Sequence, residues 1–268
     1  MDQEVINKLD KLNKENKLLK DKLKIFQKEN EKLNSNFRAL NKQLLAEVPL
    51  IKEGHQCLIC GYESYYEFLP EIISDNICPN CQSTQSDRLI YHLLKNESTF
   101  FTEKSRIMHT NPSKGLYDLF KTYENLDYYT LDKVFNEITS CVVDFYDLEF
   151  EDNFFDYIIS IDFLNNQKYD KDILSEFLRV LKRGGWLILK VPINTQLYCS
   201  IENPKKEELD IKKYGVHVDD KRVYGNDFKD ILHSAGFKIL SSNYVDVISD
   251  EISKYSLSDE VFFLCTKY

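Results

Sequence analysis

The sequence predicts an α/β protein built round a parallel sheet, and the stretch from Cys141 to Pro192 carries that prediction. Two short apolar runs, Phe155 to Ile161 and Trp186 to Val191, are rich in aromatic and β-branched residues, as buried strands are. Between them Ile173, Leu174, Phe177, Leu178 and Leu181 recur at helical spacing, and Gly184-Gly185 is expected to stop that helix with Lys182 and Arg183 in its last turn. Strand, helix, strand is the crossover that two parallel strands need. Both runs are apolar throughout and do not alternate, so the sheet is expected to be covered on both faces.

A chain of 268 residues is long enough for one sizeable core plus accessories. It has no apolar run of the ~18 residues that read as a membrane span, and charge begins at its second residue, so a cytoplasmic protein is expected. Seven cysteines, an odd number, favour thiols and metal ligation over a disulfide framework. The net charge of −9 is uneven: residues 1–47 carry +3 and the remainder −12. An acidic remainder repels a polyanion, which weighs against nucleic acid and favours a small or neutral molecule as substrate.

Taken in order, the first element is a heptad helix. Leu9, Asn16, Leu23, Asn30, Phe37 and Leu44 fall at position a, and Val5, Leu12, Leu19, Phe26, Leu33 and Leu40 at position d. Leucine at d with asparagine at a favours a parallel two-stranded coiled coil, because paired asparagines satisfy each other across a dimer axis. Pro49 ends the pattern. The expectation is a homodimer; the alternative is one amphipathic helix packed on its own domain.

The next element is a four-cysteine module, Cys57-Leu-Ile-Cys60 and Cys78-Pro-Asn-Cys81, separated by seventeen residues. Two such knuckles turn four thiolates toward one point and complete a tetrahedral zinc site with no open position for water, so the metal is expected to be structural. A redox cysteine pair is the rival. Tyr62, Tyr65, Tyr66, Phe68 and Leu69 between the knuckles read as a mini-core, and Asp87 as the cap of a helix with Leu89, Ile90, Leu93 and Leu94 inward.

Arg106 to Thr110 follows as a first strand, with a turn at Asn111-Pro112-Ser113-Lys114-Gly115 and a helix from Leu116. Tyr128 to Asp132 and Cys141 to Asp144 are second and third strands, each ending in an acid, and Asp162 follows the fourth. About thirty residues without a strong period come after Pro192, then a helix at Asn226 to Ser234, a sixth strand at Phe237 to Val247 and a last one at Val261 to Thr266. Cys141, Cys199 and Cys265 read as packing or surface residues.

Asp144 after a strand, Phe155-Asp156 opening the next, and Glu176-Phe-Leu-Arg-Val-Leu-Lys-Arg-Gly-Gly185 leading into a strand that ends at Val191-Pro192 together resemble class I S-adenosylmethionine-dependent methyltransferases. The four cysteines, Arg88, the His109-x-x-Pro112 turn and the Tyr214-Gly, His217, Arg222, Tyr224-Gly set resemble a bacterial zinc-ribbon group of these enzymes, found among surface-glycan biosynthesis proteins. That group carries an acid after the proline where this chain has Ser113, and many small-molecule methyltransferases carry Leu-Glu-His where this chain has Leu164-Asn-Asn166.

The resemblance implies a Rossmann-like seven-stranded sheet whose last strand runs antiparallel. It spans about residues 55–268 and leaves the heptad helix outside it, so three segments are expected: coiled-coil helix 1–48, zinc ribbon and linking helix 49–104, methyltransferase-like domain 105–268. S-adenosylmethionine would be held by His109, Asn111, Pro112, Asp132, Asp144 and Phe145, with Asp132 on the ribose hydroxyls, Asp144 on the adenine amino group and Phe145 against the ring. Cys57, Cys60, Cys78 and Cys81 would hold zinc. His217 would take the acceptor proton, with Asp162 as second candidate, and Arg222 would position an anionic part of the substrate. The implied activity is O-methylation of a sugar or glycan precursor. An RNA methyltransferase and a non-catalytic scaffold recruiting partners through its coiled coil are the competing readings.

Overall fold

The structure, a computed structural model, describes residues 55–64, 77–202, 221–242, 244–257 and 261–267, with isolated positions between 17 and 39. The chain divides into two compact units, Met1–Ile51 and Lys52–Tyr268. In the first, every described position is helical, and two leucines of the d series, Leu19 and Leu33, are exposed. Among the described residues no helix is long and apolar enough to cross a membrane.

The second unit begins with the first cysteine knuckle, held between the short antiparallel strands β1 (His55–Gln56) and β2 (Glu63–Ser64). Helix α1 (Gln85–Glu97) follows the second knuckle. Its cap is Thr84 where the sequence suggested Asp87: Thr84 Oγ1 accepts from Asp87 N at 3.1 Å while Asp87 Oδ2 accepts from Thr84 N at 2.8 Å. The reciprocal pair satisfies two donors that a lone cap would leave one short.

Strands β3 (Ser105–Thr110), β4 (Leu126–Asp132) and β5 (Cys141–Val142) form one half of a sheet, with α2 (Lys114–Phe120) between the first two. Strand β6 (Phe155–Ile161), helix α3 (Asp170–Val180) and strand β7 (Leu181–Lys190) form the other half. A two-stranded ribbon of β8 (Ile201–Glu202) and β9 (Arg222–Val223) lies beyond. Helix α4 (Phe228–Ser234), strand β10 (Phe237–Ser241), helices α5 (Tyr244–Val247) and α6 (Ser249–Tyr255), and strand β11 (Phe263–Lys267) complete the chain.

The sheet order is β10-β11-β7-β6-β3-β4-β5, with every neighbour parallel except β11, which runs antiparallel to both β10 and β7. This is the expected Rossmann-like α/β architecture, a seven-stranded and mostly parallel sheet whose last strand is antiparallel. Neighbouring residues of one strand feed opposite layers, which is why the runs do not alternate: Met108, Ile158, Leu187 and Leu189 join a core with Ile173, Leu174 and Phe177 of α3 and Phe228 of α4. Ile107, Ile159 and Ile188 join a second core with Leu89, Ile90, Leu93 and Leu94 of α1 and Leu116 and Phe120 of α2. Each such large apolar side chain contributes roughly 1.5–3 kcal/mol by leaving water.

Two boundaries differ from expectation. Helix α3 ends at Val180, and Lys182 to Gly185 form the bulged start of β7. Lys182 Nζ is drawn to Asp156 on the neighbouring strand, at 2.7 and 2.8 Å, and Gly184 takes φ +74. Strand β10 stops at Ser241 because Tyr244 and Ile248, one helical turn apart, both turn into the second core.

Candidate active site and metal centre

The chain enters the sheet at β3, builds outward to β5, then crosses to β6, so β3 and β6 are neighbours whose connections leave in opposite directions. Ligands in open α/β sheets bind outside the carboxyl ends of strands at such a switch point. Two non-glycine residues in left-handed backbone stand there, Asn111 after β3 and Asp162 after β6, each with φ +48. Asparagine and aspartate tolerate that region because a short polar side chain can bond locally. Asn111 therefore makes the tight exit that a glycine makes in the commoner turn. Pro112 behind it is buried, and Ser113 Oγ accepts from Leu116 N at 3.2 Å to cap α2. His109 is only 1% exposed, and its Nδ1 lies 2.9 Å from Tyr128 Oη. Burial pushes its imidazole down to about 3, so it is neutral and supports the turn from below.

Asp132 ends β4 and Asp144 lies just past β5. Asp132 Oδ1 accepts from Lys133 N at 2.6 Å and Oδ2 from Asn136 Nδ2 at 2.9 Å, which leaves lone pairs for further donors. Asp144 is exposed and its Oδ1 accepts from Tyr146 N at 3.0 Å. Phe145 is fully buried, its ring centroid 4.5 Å from that of Phe163, and so sits in the core rather than on an open adenine face. Val134 and Phe135, just past Asp132 and Lys133, are 71 and 72% exposed. Acceptors beside exposed apolar surface suit a nucleoside, so the residues present fit S-adenosylmethionine; the apolar pair went unread in the sequence because it follows no period.

Asp162 Oδ2 pairs with Lys190 Nζ at 3.0 Å, and the same ammonium donates to Ser86 Oγ of α1 at 3.2 Å. Sequence reading missed Lys190, which falls inside an apolar strand run, and Ser86. Arg222 is 6% exposed: Nη2 lies 3.0 Å from Asp170 Oδ1 and Nη1 3.0 Å from Glu202 Oε1, while Tyr224 Oη donates to Asp170 Oδ2 at 2.8 Å. Its two terminal nitrogens thus already meet protein carboxylates, where an open guanidinium was expected. His217, and with it Tyr65, Tyr66, Phe68 and Leu69, lies outside the described residues.

The sulfurs of Cys57, Cys60, Cys78 and Cys81 all lie within 4.8 Å of one another. Cys57 Sγ is 3.7 Å from Cys81 Sγ, and Cys60 Sγ 3.7 Å from Cys78 Sγ. Zinc–sulfur bonds of about 2.3 Å at tetrahedral angles put sulfurs about 3.8 Å apart, so the four ligands fit zinc. Both knuckles close alike: Gly61 N donates to Cys57 O at 2.8 Å and Gln82 N to Cys78 O at 2.9 Å, with φ +72 and +63. Ser83 Oγ touches Cys57 Sγ at 3.4 Å and Cys81 Sγ at 3.1 Å.

Residues 97–189 match a protein-family model described as a methyltransferase domain. Among solved structures, the chain is similar to the [4+2]-cyclase SpnF at 14% identity, over 88% of this chain and 95% of that one, with a TM-score of 0.48. An S-adenosylmethionine-dependent methyltransferase from Archaeoglobus fulgidus shares 14% identity over 68% and 95%, TM-score 0.45. The PH0226 protein of Pyrococcus horikoshii shares 17% over 67% and 87%, TM-score 0.44. No curated protein matches the sequence.

Proposed function

We propose that the chain is an S-adenosylmethionine-dependent methyltransferase acting on a hydroxyl of a sugar or glycan precursor, with structural zinc on its four cysteines and two copies paired through the N-terminal heptads. The observation that carries the reading is the carboxyl edge of the sheet, where Asn111, Asp132, Asp144 and Asp162 stand at or just past the ends of β3, β4, β5 and β6 in turn. The methyltransferase-domain match over residues 97–189 supports it from the sequence side.

S-adenosylmethionine, when bound, supplies an activated methyl group. Asp132 would accept the ribose hydroxyls and Asp144 the adenine amino group, while the left-handed Asn111 lets backbone come close to the amino-acid end. Asp162, oriented by Lys190, would receive the proton of the acceptor hydroxyl; His217 is the other base proposed, since a neutral imidazole accepts protons near pH 7. Transfer between aligned groups takes much of its rate from positioning, so a rigid edge is the main requirement. Arg222 would anchor the base of the segment carrying His217 by its pairing with Asp170 and Glu202.

Calorimetric titration of the full chain with S-adenosylhomocysteine tests the reading. Wild type should bind, and Asp132→Ala or Asp144→Ala should weaken binding more than tenfold, about 1.4 kcal/mol, with thermal stability retained. Absence of binding by wild type would transfer the assignment to a non-catalytic scaffold.

A further inference from the structure

Three consecutive polar residues in the first turn of α1, just past the fourth cysteine, are buried: Ser86, Asp87 and Arg88 are 7, 4 and 0% exposed. Each reaches a different part of the second unit. Ser86 Oγ accepts from Lys190 Nζ at the end of β7. Burial raises the Asp87 carboxyl above its ordinary range, and the Ser113 hydroxyl, in the turn that leaves β3, is among the groups that counter the rise. Arg88 Nη1 donates to Ser83 O at 2.8 Å, and its Nε donates to Ser256 O at 2.9 Å, just past α6. Ser83 in turn touches two of the cysteine sulfurs, and its Cα stands 2.8 Å from where a Cβ on Gly115 would lie.

Burying three polar side chains in one turn is stabilising only while all of them are satisfied. The partners of this turn are the second knuckle on one side and the reaction edge on the other. Without metal the two knuckles lose the bonds that join them, and Ser83 loses its fixed thiolate neighbours. Asp87 thus stands near Ser113 from a helix whose cap, Thr84, lies three residues past the fourth cysteine.

We propose that Ser86 and Asp87 are positioning residues for the reaction edge, so that the metal held by the four cysteines sets the geometry of the Asn111–Ser113 turn and of Lys190. The proposal rests on the methyltransferase reading only for what the edge binds. Coupling of this kind is reciprocal: if metal tightens ligand binding, ligand must tighten metal binding by the same factor.

The test uses the zinc-loaded full chain and a colorimetric chelator. Saturating S-adenosylhomocysteine should slow zinc extraction from wild type several-fold. Ser86→Ala and Ser113→Ala should retain one zinc per chain but lose that dependence, and Ser113→Thr, which keeps the hydroxyl, should restore it. Amide exchange supplies an arm that needs no ligand. Ser86→Ala leaves the cap of α2 intact, yet should speed exchange at the amides of residues 109–111 and 113 at least fivefold while β10 and β11 stay unchanged. Extraction indifferent to ligand in a wild type that binds it overturns the proposal, as does unchanged exchange in both alanine variants. Faster exchange in a protein that binds no S-adenosylhomocysteine upholds the coupling and removes the methyltransferase reading instead.

Discussion

His109 illustrates how burial alone can fix a residue's chemistry. With its ring enclosed beside Tyr128 and Phe120, the imidazole is held down to about 3 from an ordinary value near 6.5. The folded state therefore refuses a proton that the unfolded state accepts, so the stability this neutral ring confers is fully present above pH 6.5 and is lost as the pH falls toward 3. Between pH 7 and pH 5 this residue should cost the fold about 2 kcal/mol, because below pH 6.5 each tenfold rise in proton concentration favours the protonated unfolded chain by about 1.4 kcal/mol. Urea denaturation of wild type and His109→Gln at the two pH values measures it: the variant should show a pH dependence smaller by that amount, and equal slopes would mean the ring is open to water. The sequence singled out His109 for its place in a His-x-x-Pro turn but not for its burial, because strand direction decides which side a residue faces. Asn111 was legible as a turn residue; that it replaces the glycine needed a backbone angle.

Helix α2 shows the same division between pattern and packing. Its start was readable from Pro112 and the apolar spacing after it, yet the role of Gly115 was not. A Cβ on Gly115 would stand 2.8 Å from Ser83 Cα and 2.9 Å from Ser83 N, well inside contact distance. Ser83 is held by its own backbone bond from Cys78 N at 2.9 Å and by Arg88, so it has little room to retreat. Gly115→Ala should thus forfeit the usual gain of up to about 1 kcal/mol for alanine in a helix and instead cost about 1–3 kcal/mol by overpacking. Chemical denaturation gives the sign: a more stable variant would mean that the knuckle yields. The same kind of long-range approach hid the true end of α3. Gly184-Gly185 looks like a helix stop in one dimension, whereas Lys182 reaches Asp156 across the sheet and draws those residues into β7.

For the molecule as a whole, the sheet was the most legible feature, since strands covered on both faces leave continuous apolar runs and a crossover helix leaves a period. The carboxyl edge of the sheet was half legible. Acids at strand ends stand out from the apolar runs before them, but Lys190, Ser86 and the Asp170–Arg222–Glu202 group come together only through folding. The heptads at the other end of the chain carry the remaining large-scale expectation. Ten of their twelve a and d positions are apolar, and the exposed Leu19 and Leu33 belong to the d series. Leucines so placed lose their exposure when a second heptad seam covers them, each gaining roughly 1.5–3 kcal/mol if fully buried. In such a pair Asn16 and Asn30 at a would fix a parallel, in-register alignment, because any other register would leave their amides unpaired among apolar side chains. Light scattering on the full chain should accordingly give twice the 31.7 kDa chain mass, and removal of residues 1–47 should give a folded monomer. Asn16→Leu combined with Asn30→Leu should keep the assembly, raise its melting temperature and admit higher oligomers, since the polar constraint on register and number is gone. A truncated chain that still dimerises would move the interface to the second unit.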